Sequence, residues 1–110
     1  MDPLKSNGDI YSQLGGDPDL GELVTMFVDE MPGRLVTFQA AQAAGNREAI
    51  GRLAHQMKGA AGSYGFDQAT PYAARLEKAA RENVPDEELL LALNELLELC
   101  TRMRAGVPLE

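Results

Sequence analysis

Apolar residues recur in steps of three and four through four separate segments, and no stretch alternates with the period of two that a half-buried strand requires. That spacing lays one apolar stripe along each segment and dictates amphipathic helices with buried faces. The first stripe is Leu20, Leu23, Val24, Phe27, Met31, Leu35, Phe38 and Ala41. Pro32-Gly33 interrupts it without resetting its phase, which predicts one helix kinked near Pro32 and ended by Gly45, not two helices. Asp17 or Asp19 opens it. Ile50, Leu53, Met57, Ala60 and Tyr64 form the second stripe over 46–64, with Asn46 as N-cap and Gly65 as stop. Ala69, Tyr72, Ala73, Leu76 and Ala80 form the third, behind a cap at Asp67 and with Pro71 tolerated in the first turn. Leu89, Leu93, Leu96, Cys100 and Met103 form the fourth, where Glu87 and Glu88 stand at the positive end of the helix dipole.

Short connections make neighbouring helices antiparallel. The predicted fold class is therefore all-α: an antiparallel up-down-up-down four-helix bundle. A short additional N-terminal helix is expected from Asp9 through Ile10, Tyr11 and Leu14, stopped by Gly15-Gly16. Residues 1–8 read as a flexible arm, 9–106 as a single helical-bundle domain, and 107–110 as a tail whose Leu109-Glu110 is open to reading as an appended remnant. The 110 residues are enough for one core. A net charge of −7 argues against nucleic acid and anionic membranes as partners. No window reaches the roughly 18 apolar residues of a membrane span. Met1-Asp2-Pro3-Leu4-Lys5 lacks an apolar signal region, so a cytoplasmic protein is expected. Cys100 is the sole cysteine and belongs to a leucine-rich stripe, where it serves as a small core residue. One cysteine and one histidine do not make an ordinary zinc site, so no metal is expected. Nothing in the pattern demands a dimer, and a monomer is expected.

The second helix carries the chemistry. At about 100° per residue its side opposite the apolar stripe collects Glu48, Gly51, Arg52, His55, Lys58, Gly59 and Gly62. His55, the only histidine, stands at the centre of that side. Each glycine inside a helix costs about 1 kcal/mol relative to alanine, so Gly51, Gly59 and Gly62 together cost roughly 3 kcal/mol. They flank the imidazole and leave it standing on a bare surface that another protein could approach. Arg52 and Lys58 put a cation on either side of the ring. An exposed nucleophilic ring, open space and two cations suit a phosphoryl group in transit. A solvated face with an incidental histidine would leave the glycine cost unexplained.

His55-x-x-Lys58-Gly59-Ala60-Ala61-x-x-x-Gly65 resembles the signature of histidine-containing phosphotransfer (HPt) domains, and it is closely similar to a motif in the phosphotransfer domain of chemotaxis histidine kinases. The resemblance implies that Nε2 of His55 accepts a phosphoryl group and exchanges it with the aspartate of a receiver domain, in a response regulator or a hybrid histidine kinase. Mg²⁺ would sit on that partner, and the chain would need no cofactor of its own. It has no glycine-rich nucleotide loop, so it is expected to act as a carrier, not as an enzyme. The alternative is the N-terminal domain of a chemotaxis-type kinase, phosphorylated by that kinase's ATP-binding domain. A structural adaptor without chemistry is a further alternative; a hydrolase using His55 as general base lacks a serine or cysteine in reach.

The hairpin between the second and third helices turns near Phe66. Counting equal distances from that turn sets Glu77 beside His55, where it would accept a hydrogen bond from Nδ1 and leave Nε2 free. The chemotaxis phosphotransfer domains have a glutamate in this role, whereas many HPt domains have a glutamine. The competing reading pairs Glu77 with Arg81 at i+4. Lys58 is assigned to phosphate electrostatics, and Gly59, Gly62, Gly51 and Arg52 to partner docking. The apolar flank near Phe66 and Tyr64 is expected to join that surface.

Overall fold

The computed structural model describes residues 8–107, so residues 1–7 of the expected arm and the last three residues lie outside it. Four helices make up most of it: α1 (Gly21–Ala43), α2 (Arg47–Ser63), α3 (Thr70–Arg81) and α4 (Asp86–Cys100). Their starts follow local chemistry. Asp17 Oδ1 accepts from the amides of Asp19 and Leu20, at 2.7 and 2.9 Å, and so holds the turn that feeds α1. α1 runs unbroken through Pro32, which lies on its exposed side. Asn46 caps α2 by accepting from the Ala49 amide at 3.0 Å. A single 3₁₀ turn, Asp67–Ala69, precedes α3; no side-chain cap comes from Asp67, and Pro71 stands at the start of the helix.

The stripes pack inward. Val24, Phe27, Met31 and Phe38 of α1 are buried with Ile50, Met57, Leu76, Leu93, Leu96 and Leu99. Each such large side chain contributes about 1.5–3 kcal/mol by leaving water. Leu20 and Leu23 are the exceptions at the end of the first stripe, remaining 39% and 44% exposed. Cys100 is a core residue, and burial pushes its thiol up to about 12, which keeps it protonated and unreactive.

The expected N-terminal helix is absent. Ile10–Tyr11 instead forms a two-residue strand, β1, paired in parallel with β2 (Met103–Arg104), with Ile10 opposite Met103. Burial decides this: Ile10 and Met103 both enter the core, and the strand pairing satisfies backbone groups that one isolated turn would leave open. Met103 is thus a core residue past the end of α4, not a part of it.

α2 and α3 run antiparallel, because their contacts cross in reverse order. Arg47 reaches the Val84 carbonyl and Asp86, Gly51 faces Ala80 and Arg81, His55 meets Glu77, and Gly62 lies by Thr70. The turn joining them depends on Gly65, whose φ of +81° favours glycine. A Cβ there would also lie 2.5 Å from Ser12 Oγ.

Gly51 departs from its expected role. It is buried, and a Cβ added to it would meet Ala80 Cβ at 3.5 Å, so it serves the close approach of α2 to α3 and cannot form part of a docking surface. A methyl fits there, so Gly51→Ala should hold or raise stability by up to about 1 kcal/mol. Gly51→Leu overfills the contact and should be less stable than Gly51→Ala by about 1–3 kcal/mol in denaturant unfolding. Equal stability of the two variants would show that the helices are not closely packed at this point.

Candidate functional site

Glu77 is the buried member of the site, its side chain only 8% exposed, and three cationic or polar groups converge on it. His55 Nδ1–H donates to Oε2 at 2.9 Å, Lys58 Nζ donates to Oε1 at 2.8 Å, and Arg81 Nη1 lies 2.8 Å from Oε2. A carboxylate out of water is tolerable only with this degree of pairing. The Lys58 hydrogen bond, with those of His55 and the charge of Arg81, holds the Glu77 carboxyl below its ordinary range against the opposing pull of desolvation.

That ionisation fixes the histidine. An ionised carboxylate can only accept, so Nδ1 carries the proton and the lone pair of the neutral ring resides on Nε2. The ring is well placed to use it, since the His55 side chain is 61% exposed. Around it, Gly59 is exposed with no atom within 4 Å of where a Cβ would stand, and Gly62 is exposed with only Thr70 Oγ1 at 3.9 Å. The arrangement is an oriented, accessible nucleophile on a surface without obstructing side chains.

The sequence-derived residues divide clearly. His55, Lys58 and Glu77 come together, and Gly59 and Gly62 lie open beside them. Arg52 is exposed and pairs with Glu48 at 3.7 Å along its own helix, an interaction worth little. Phe66 is fully buried against Phe27, so it forms no part of the surface, and Tyr64 is half-buried in a stack on Phe27 with centroids 4.7 Å apart. Arg81 also belongs to the site: its i+4 spacing from Glu77 is an alternative to the His55 contact in the sequence, and in the structure Glu77 makes both.

With His55 as the phosphoryl acceptor that the resemblance implies, Glu77→Ala should slow its phosphorylation by about 10- to 100-fold, by analogy with loss of the carboxylate that orients a metal-bound histidine. An unchanged rate would remove Glu77 from the site. The same residue governs an acid limb of stability. Its folded pKa lies below the 4.5 of the free group, so its stabilising contribution is complete above about pH 4.5 and is lost as pH falls through the lower folded value. The stability gap between the wild-type chain and Glu77→Gln should therefore be level above that pH and narrow below it; a gap that widens in acid would contradict the pairing.

A helical domain that offers one oriented imidazole to solvent, and supports it with a carboxylate from the adjoining helix, has the form of a phosphoryl carrier. The family model of the Hpt domain matches residues 22–106, and the chain belongs to that family. No curated protein and no solved structure matches it. Hpt domains carry phosphoryl groups on histidine in phosphorelays and interact with receiver domains of two-component systems. Among the described residues, no helix is long and apolar enough to cross a membrane.

Proposed function

We propose that this chain is a phosphorelay intermediary in which His55 exchanges a phosphoryl group with the aspartate of a receiver domain. The observation that carries the reading is the exposed ring whose Nδ1–H is bound to an ionised Glu77. In the transfer, the Nε2 lone pair attacks phosphorus in line with the aspartyl P–O bond. The N–P bond forms, the aspartate carboxylate leaves, and the ring gains a positive charge that Glu77 faces directly. Reversal returns the group to a second receiver. Mg²⁺ held by the partner would supply charge neutralisation at the aspartate, while Lys58, paired with Glu77 and partly exposed, would supply a cation for the phosphoryl oxygens. Gly59, Gly62 and Arg52 lie on the face that the receiver would cover.

In this reading the four helices alternate up and down, and the chain works as a cytoplasmic monomer with no nucleotide site. The alternative, a phosphotransfer domain served by the ATP-binding domain of a chemotaxis-type kinase, is favoured by one feature: the group behind His55 is a carboxylate and not an amide. Incubation with a phosphorylated receiver, or with a kinase catalytic domain and ATP, separates the two. Phosphoryl uptake from the receiver alone supports the intermediary; uptake only with the kinase and ATP supports the alternative.

A further inference from the structure

Arg34 differs from every other arginine among the described residues. The rest each form an ion pair with a carboxylate, whereas Arg34 has none, in a chain with 17 acidic residues. Its guanidinium lies over the Phe27 ring, 5.2 Å from the centroid, and its Nε is buried without an acceptor. Phe27 is itself clamped by Tyr64 and Phe66, so the cation rests on a fixed aromatic wall. Beside it, a cleft of about 210 Å³ between α1 and α2 is lined by Arg34, Thr37, Phe38, Leu53, Gln56 and Met57. Of its lining residues on α2, Leu53 and Met57 belong to the core-facing stripe, while Gln56 is exposed and lies about 100° round the helix from His55, so Gln56 links the mouth of the cleft to the imidazole side. Apolar walls strengthen any charge pairing inside it, and Gln56 and Thr37 add polar groups at its edge.

We propose that the Arg34 cleft is an anchoring subsite for an aspartate or glutamate side chain of the partner receiver domain. The inference rests on the phosphorelay reading of His55 and extends it to how the partner is held. A planar guanidinium with free donors matches a carboxylate in a way a lysine does not. Seated there, the partner spans α1 and α2 while its phosphoryl group faces Nε2. The protein's own negative charge makes a single unpaired cation at this edge a selective mark for an acidic partner surface.

The test compares single-turnover transfer from a phosphorylated receiver, with KM the half-saturating receiver concentration and kcat the limiting transfer rate constant, with uptake from phosphoramidate, a donor too small to need an anchor, in the wild-type chain, Arg34→Met and Arg34→Glu. Circular dichroism checks that each variant is folded. The expected result is a KM for the receiver raised about tenfold in Arg34→Met, the loss of one charge-assisted contact, and raised further in Arg34→Glu, with kcat held within about twofold. The ratio of receiver to phosphoramidate rates falls in parallel. An unchanged KM in both variants overturns the subsite. A loss confined to kcat, or an equal loss with phosphoramidate, also overturns it, because Arg34 would then be acting on His55 or on the fold. If the wild-type chain takes phosphoryl from neither donor, the reading of His55 itself fails.

Discussion

His55→Gln is expected to lose all acid-labile phosphorylation while its helical circular dichroism and unfolding midpoint stay close to those of the wild-type chain. The side chain is 61% exposed and belongs to no core contact, so little packing is lost with it. Glu77 keeps Lys58 and Arg81 when the imidazole is removed, so the buried carboxylate is not left unpaired. A glutamine amide can donate to Glu77 but offers no nucleophilic nitrogen. Because His55 is the only histidine in the sequence, no second acceptor of its kind can compensate. Phosphorylation that survives in this variant would show that the acceptor lies elsewhere. A collapse of the helical signal would show that the histidine is structural.

Gly59→Leu should separate stability from transfer in the opposite direction. A Cβ at this position meets nothing within 4 Å, so the side chain has room in the free protein. Replacing an interior helical glycine with a strong helix former should stabilise the fold by about 0.5–1 kcal/mol. The same side chain would stand one turn from His55 on the face a receiver must cover. A displacement of about 1 Å in a transfer geometry can cost on the order of 100-fold, so receiver-dependent transfer should fall at least that far. Phosphoramidate should still label His55, since it needs no such surface. A Gly59→Leu variant that exchanges phosphoryl groups with a receiver at the wild-type rate would mean the bare helix face has another purpose.

The parts of the molecule that repeat locally were the parts legible in the sequence. The three-and-four spacing found all four helices, and the uninterrupted phase across Pro32 separated one helix from two. Counting outward from Phe66 brought Glu77 opposite His55, because an antiparallel hairpin of two regular helices leaves little freedom in its register. What depends on which neighbour covers a helix edge was not legible. Gly51 and His55 share a side of the helical wheel, but α3 packs directly on Gly51 and meets His55 only through the Glu77 carboxylate, so one is buried and the other exposed. Phe66 stood in a turn and looked accessible, until the 3₁₀ turn after it folded the ring beneath Phe27. The β1–β2 pair is two residues long, too short for alternation to register, and it joins positions far apart in sequence. Arg34 carries no local sign that it lacks a partner; that emerges only from the fold, where the other described arginines pair with carboxylates and Arg34 rests on Phe27.

Whether the chain receives a phosphoryl group of the kind His55 would carry is tested by intact-mass measurement after exposure to a phosphorylated receiver domain in Mg²⁺. The expected result is a gain of one phosphoryl group, labile in acid and stable in base, that returns to unphosphorylated receiver when the donor is removed. A chain that gains no mass from receivers, from a kinase catalytic domain with ATP, or from phosphoramidate would contradict the reading of His55, and so would a modification that resists acid.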